Sequence, residues 1–287
     1  MGKACRFTAA TMLVATTLAT MARAQPIGGP QTVLVHNGPV TLHALLWRPQ
    51  GCGPCPAVLL NHGSGRTREE LERLGPYEGQ AETLGPVFAR HRYVFLFPFR
   101  QGVGLSADQG PSAIDLMNSE GAAHGQEARN ALQLQLLESR EYHDASAALA
   151  LLRGLPEVDR TRVAIVAHSF GGSLTILEAA REPDLRAVVI FSGSGYSWDR
   201  SPELRTRLLA AATDIRAPVF FIHAANDYSL NPGKALDARL EKLGKPHRLK
   251  IYPPIGRTPD EGHAFPLLGV SIWEPDVFAF LDEQMRR

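Results

Sequence analysis

The stretch Val163-Ala164-Ile165-Val166-Ala167-His168-Ser169-Phe170-Gly171-Gly172 constrains the fold more than any other part of this chain. Its first five residues are apolar and mostly β-branched, as expected of a strand buried on both faces. A helix-like run, Gly171 to Arg181, follows at once. The backbone must therefore pass from strand to helix in a sharp turn with Ser169 at its apex. Such a turn lifts the serine oxygen above the sheet edge and strains the serine backbone. Neighbours two positions away must then be small, and Ala167 and Gly171 are. The alternative is a serine that only caps the helix.

The remaining chain alternates strands and helices around this turn. Gln31 to Val35 and Val40 to Trp47 read as strands joined at Asn37-Gly38-Pro39. Ala57 to Asn61, Tyr93 to Pro98, Ala187 to Ser192, Pro218 to His223 and Leu249 to Tyr252 are further strands. Helices are expected at Gly79 to His91, Ala122 to Leu152, Pro202 to Ala212, Gly233 to Leu243 and Val270 to Arg286. Gly102 to Gly121 is rich in Gly, Ser, Pro and Asp and reads as a loop, either a partial lid or a plain surface segment. Pro253 to Glu261 also reads as loop. Eight strands alternating with helices imply an α/β fold with a mostly parallel sheet, an antiparallel opening strand and helices on both faces. No repeat or linker divides the chain.

Composition narrows the class. Of 287 residues, 44% are hydrophobic and the formal net charge is +1. A disordered chain would be less apolar, and a phosphate-neutralising nucleic-acid binder would be more basic. The first residues depart from this average. Lys3 and Arg6 precede an uncharged run from Phe7 to Met21, and Ala22-Arg23-Ala24 resembles a cleavage site. Residues 1–24 are thus read as a secretory signal peptide, and 25–287 as one exported domain, periplasmic or secreted. Removing the leader takes three basic residues and no acid, moving the net charge to −2. No other run is long enough to span a bilayer.

Cys5 leaves with the leader, so Cys52 and Cys55 remain. Cys-Gly-Pro-Cys is the sequence of a thioredoxin-type site, but such a site opens a helix. Here Pro56 and an apolar strand follow. A surface turn, with a possible Cys52–Cys55 disulfide, is the preferred reading.

Ala167-His168-Ser169-Phe170-Gly171, between strand and helix, resembles the nucleophile elbow of the α/β-hydrolase family, with Ala167 in place of the usual first glycine. The resemblance runs along the whole mature chain. It implies a catalytic triad in the chain order serine, acid, histidine, with partners after later strands. Ser169 is then the nucleophile, His263 the general base and acid, and Asp227 the orienting carboxylate, with Asp199 as the alternative acid. One oxyanion donor would be the amide of Phe170. The other would come from His62-Gly63-Ser64-Gly65, with Ser64 preferred and Gly65 as the alternative.

Pro98-Phe99-Arg100-Gln101-Gly102-Val103-Gly104-Leu105-Ser106 and Leu155 to Val163 resemble segments of dienelactone-hydrolase-like and prolyl-oligopeptidase-like members. Ser169 stands where well-known dienelactone hydrolases carry cysteine, and the chain has no room for a propeller domain. Together these features imply a carboxylic-ester hydrolase acting on a small or medium ester. A peptidase or amidase on the same scaffold is the alternative, as is a redox or binding protein using Cys52 and Cys55. Tyr196, Trp198 and Tyr228 follow strand ends and are candidate pocket walls. No cofactor, metal or nucleic-acid partner is expected.

Overall fold

In the computed structural model, the described residues are 1–2, 29–51, 53–65 and 75–286. The leader assigned to residues 1–24 lies almost wholly outside them, as does Cys52. The strands are β1 (Gln31–Asn37), β2 (Val40–Trp47), β3 (Cys55–Asn61), β4 (Val94–Pro98), β5 (Val158–His168), β6 (Ala187–Phe191), β7 (Val219–Ala224) and β8 (His247–Tyr252). They form one sheet in the order β1-β2-β4-β3-β5-β6-β7-β8. Only β2 runs against its neighbours. All other adjacent pairs are parallel. The α/β-hydrolase architecture expected from the sequence is therefore present.

The helices are α1 (Tyr77–Arg90), α2 (Ala113–Glu138), α3 (Arg140–Gly154), α4 (Phe170–Ala179), α5 (Pro202–Ala211), α6 (Asn231–Lys242), α7 (Pro259–His263), α8 (Phe265–Leu268) and α9 (Val270–Met285). Side chains alternate along the central strands and feed two cores. Leu59, Ile165 and Val188 face α2 to α6, packing with Leu149, Leu177, Leu208 and Leu240. Val58, Val166 and Phe220 face α1 and α9, packing with Phe88, Val277 and Leu281. Each such side chain contributes about 1.5–3 kcal/mol when fully buried. Burial on both faces explains why β3, β4, β6, β7 and the 163–167 part of β5 lack the polar alternation of a half-exposed strand.

Two expectations are corrected. The segment 102–121 is not all loop, because α2 begins within it at Ala113, where the Ser112 hydroxyl accepts from the Asp115 amide at 3.2 Å. The single helix expected over 122–152 is two helices, α2 and α3. Ser139 leaves the helical region there (φ −120°, ψ −97°), and its hydroxyl donates to the Gln135 carbonyl at 2.6 Å, turning the chain. Gly125 adds a kink inside α2 (φ 88°, ψ 179°).

Behind β4, Arg100 and Glu141 form a fully enclosed ion pair at 2.8 Å, each side chain 2% exposed. Arg140 donates to the other oxygen of Glu141 at 2.8 Å. Arg100 also donates to the His62 carbonyl at 2.9 Å, tying α3 to the loop after β3. Replacing Glu141 with Ala leaves the Arg100 guanidinium buried without a carboxylate. We expect Glu141→Ala to cost about 3–5 kcal/mol in urea unfolding; a loss under about 1 kcal/mol would mean that the pair contributes little to the fold.

Candidate active site

The site lies at the C-terminal edge of the parallel strands, where such sheets present their loops to ligands. Asn61 of β3 pairs with Ala167 of β5, and His168 pairs with Phe191 of β6. The loop after β3 and the turn after β5 are therefore neighbours. Ser169 sits in that turn with φ 55° and ψ −118°. A positive φ in a residue with a Cβ is strained by about 1–3 kcal/mol. The conformation is held on several sides. The Ser169 amide donates to the Phe191 carbonyl at 3.0 Å, and its carbonyl accepts from Gly172 and Ser194. A Cβ on Gly171 would lie 2.1 Å from the Asn61 carbonyl oxygen, so the helix start approaches β3 closely only with glycine there. On the other flank, Ala167 is fully buried and its methyl group packs in the core.

Beneath the turn, Asn61 donates to Thr175 (2.8 Å) and Glu178 (2.7 Å) of α4. Burial pushes the Glu178 carboxyl up to about 7, against the lowering effect of the Asn61 hydrogen bond. These bonds lash α4 to the strand that carries the His62–Gly65 loop.

The three residues assigned from sequence as a triad come together. His263 Nε2 lies 2.8 Å from Ser169 Oγ. His263 Nδ1 lies 2.7 Å from Asp227 Oδ1. Asp227 follows β7 in a turn closed by its amide on the Ala224 carbonyl, at 3.0 Å. Burial opposes ionisation of Asp227, but hydrogen bonds from His223 and His263 outweigh it and hold the carboxyl well below the usual carboxylate range. Asp199 bonds instead to Ser229 and Asn231, and is not the acid beside His263.

His263 ends α7, a short helix inside the segment expected to be loop. Thr258 caps it: the Thr258 hydroxyl accepts from the Glu261 amide, and the Glu261 carboxylate accepts from the Thr258 amide. Thr258-Pro259-Asp260-Glu261 is a legible capping-box signal that composition obscured. Asn226 fixes the same loop by donating to the carbonyls of Ile255 (2.8 Å) and Thr258 (2.7 Å). His168 Nε2 donates to the His263 carbonyl at 2.9 Å.

A cavity opens over Ser169, bounded by Gly63, Ser64 and Gly65 on one side and Tyr196 and Tyr228 on another. Phe170 is the first residue of α4, so its amide has no intrahelical acceptor. The Ser64 hydroxyl turns back onto the Gly65 carbonyl. The Tyr228 ring lies 4.4 Å from the His263 ring, and its hydroxyl bonds Asp260. Trp198 is a correction. It is buried in the core facing α2 to α6 and does not line the cavity. Sequence reading missed α2 as a wall: Met117, Arg129 and Gln133 all reach the cavity. Arg129 is half-buried and has no carboxylate partner among the described residues. Burial and the charge of Arg200 both disfavour its cationic form.

His62 is neutral. Burial and the Arg100 guanidinium hold its imidazole well below the ordinary value, and Nδ1 donates to the Gly63 carbonyl at 2.6 Å. Cys55 is disulfide-bonded and starts a strand, so it lacks the helix N-terminus a redox pair requires. Among the described residues, no cluster of three or more His, Cys, Asp or Glu side chains could hold a metal. Among them, too, no helix is long and apolar enough to cross a membrane.

The sequence pattern of the dienelactone hydrolase family matches residues 98–267. A Methylorubrum extorquens protein provisionally named a carboxymethylenebutenolidase is 30% identical over 125 residues. That match spans 42% of this chain and 40% of the relative, well under two thirds of its length. The Pyrococcus horikoshii acylaminoacyl peptidase superposes with a TM-score of 0.62 at 16% identity, covering 92% of this chain and 42% of the peptidase. Est1E from Butyrivibrio proteoclasticus superposes at 0.58 and 15% identity, covering 91% of this chain and 100% of Est1E. These structural likenesses establish the fold.

The depressed Asp227 carboxyl has a consequence for acid stability. A group whose folded pKa lies below its unfolded value of about 3.9 stabilises the fold fully above that value, and the stability is lost as pH falls toward the folded pKa. Asp227→Asn should therefore flatten the decline in unfolding free energy between about pH 5 and pH 2. Urea titrations across that window check this, and an unchanged acid slope would show that Asp227 is not the linked group.

Proposed function

The chain belongs to the dienelactone hydrolase family, and from that premise we propose an exported serine hydrolase that cleaves carboxylic esters through an acyl-enzyme on Ser169. The observation that carries this reading is the unbroken series Ser169 Oγ, His263 and Asp227, with contacts of 2.8 and 2.7 Å. A serine hydroxyl is a weak nucleophile at neutral pH, and an imidazole within hydrogen-bond reach removes its proton as attack proceeds. Asp227 fixes the tautomer in which Nδ1 carries hydrogen and Nε2 is free to accept.

Attack on the ester carbonyl places negative charge on its oxygen. The amides of Phe170 and Ser64 receive that charge, each such donor contributing about 3–4 kcal/mol to the transition state. His263 then protonates the leaving alcohol. Water, deprotonated by the same imidazole, releases the acid and frees Ser169. Every proton moves between Ser169, His263, substrate and water, so the cycle calls for no cofactor.

Arg129 narrows the substrate. The Arg129 guanidinium in the wall of the cavity, without a carboxylate partner among the described residues, favours an ester that carries its own carboxylate. Gln133 and Tyr196 supply hydrogen-bonding groups on the same side.

Ser169→Ala should lower turnover of p-nitrophenyl acetate by at least about a thousand-fold and abolish labelling by a fluorophosphonate. Retained turnover would remove the acyl-enzyme reading, and faster cleavage of aminoacyl anilides than of matched esters would favour an amidase. Arg129→Ala should cut kcat/KM for p-nitrophenyl hemisuccinate by roughly ten- to a hundred-fold, while p-nitrophenyl acetate changes little. Equal effects on both esters would show that Arg129 does not read a substrate charge.

A further inference from the structure

Asp227 is bound by two imidazoles. His263 Nδ1 takes one carboxylate oxygen at 2.7 Å, and His223 Nδ1 takes the other at 2.8 Å. His223 lies near the end of β7, four residues before Asp227, and is 1% exposed. The end of β7 and the turn after it therefore bring its ring against the carboxylate oxygen that His263 does not use. Gly233 of α6 leaves room for that ring, since a Cβ there would lie 2.4 Å from His223 Nε2. The Tyr228 amide donates to the same oxygen that faces His263, at 2.7 Å. That oxygen has two donors, and the other relies on His223.

We propose that His223 is a positioning residue that extends the triad to a fourth member and sets the pH at which His263 becomes a competent base. The inference rests on the triad reading above. Its physical basis is the sharing of one carboxylate charge. His223 donates through Nδ1, holding the plane of the carboxylate and drawing electron density toward Oδ2. Less charge is then available at Oδ1 to stabilise the His263 imidazolium. Loss of the His223 donor leaves Oδ1 pinned by the Tyr228 amide but makes the carboxylate more basic. His263 should then bind its proton more tightly and lose base function at a higher pH.

Other titratable groups around this chain of contacts are few. His168 approaches His263 from β5, with ring centroids 5.0 Å apart. The Tyr228 ring lies 4.4 Å from the His263 ring and leads to Asp260. Neither touches the second oxygen of Asp227, so His223 alone accounts for that hydrogen bond among the described residues.

Two substitutions of similar polarity separate donor position from bulk. Asn places its amide nitrogen near the former Nδ1, whereas Gln carries its amide nitrogen toward the former Nε2. We expect His223→Gln to raise the acidic limb of the kcat/KM–pH profile by about half to one unit, and to lower the plateau by roughly ten-fold. His223→Asn should restore the limb to the wild-type position. Rates are normalised to sites titrated with a fluorophosphonate, so that a misfolded fraction does not count. An acidic limb that stays in place in His223→Gln overturns the proposal, even when the variant melts earlier, because a packing role moves Tm without moving the limb. Failure of the triad reading looks different: Ser169→Ala then retains turnover, and the proposal falls with it.

Discussion

The backbone of Ser169 is the constraint on which the rest of the site depends. A residue with a Cβ held at φ 55° persists only where its surroundings over-determine it. Here the parallel sheet does so. Hydrogen bonds from β6 and the 193–195 turn fix Ser169 from one side, and Gly171 lets α4 pack onto the Asn61 carbonyl from the other. The strain is offset by burial in two large cores, which the turn itself does not supply. The serine is consequently presented on rigid elements, while its partners come from the loop segments after β7 and β8, with His263 at the end of the short helix α7.

Those loops need their own restraints, and the restraints are polar. Asn226 spans from the Asp227 turn to the backbone before α7, and His168 holds the carbonyl of His263. Arg100 reaches from the Glu141 ion pair to the His62 carbonyl, fixing the loop that faces Ser169. Each of these groups is polar and largely enclosed, and each would be costly without its partner. The network therefore favours one arrangement of three loops over the many that apolar packing alone would permit.

The sheet was legible because its strands are short apolar runs separated by turn residues. All eight were located; their ends moved by one or two residues, except that β5 begins five residues before the expected Val163. The grouping of Ser169, His263 and Asp227 was legible for a related reason: strand ends place Asp227 and His263 at the same edge as Ser169, and chain order did the rest. Helix boundaries were less so. Ser139 breaks the segment over 122–152 through its own hydroxyl, a local bond that hydrophobic periodicity does not register. Gly, Ser and Asp in 102–121 suggested loop, yet Ser112 and Asp115 form a cap. Trp198 shows the limit of arguing from strand ends alone. Its position after β6 resembled that of Tyr196, but two residues of further chain turn it into the core.

His223 shows how a buried histidine acquires meaning only in three dimensions. In sequence it is one of ten histidines, placed inside an apolar strand. In the folded chain, its distance from Asp227 is set by the β7 turn, and its space is set by Gly233 on a different element. An anion buried between two imidazoles is stabilised by both, so neither can change its protonation without altering the other's partner. In the proposed mechanism the pH behaviour of His263 is then a property of the whole group from Ser169 to His223. The fold places that group by using the end of one strand twice, once for the acid and once for the histidine bonded to it.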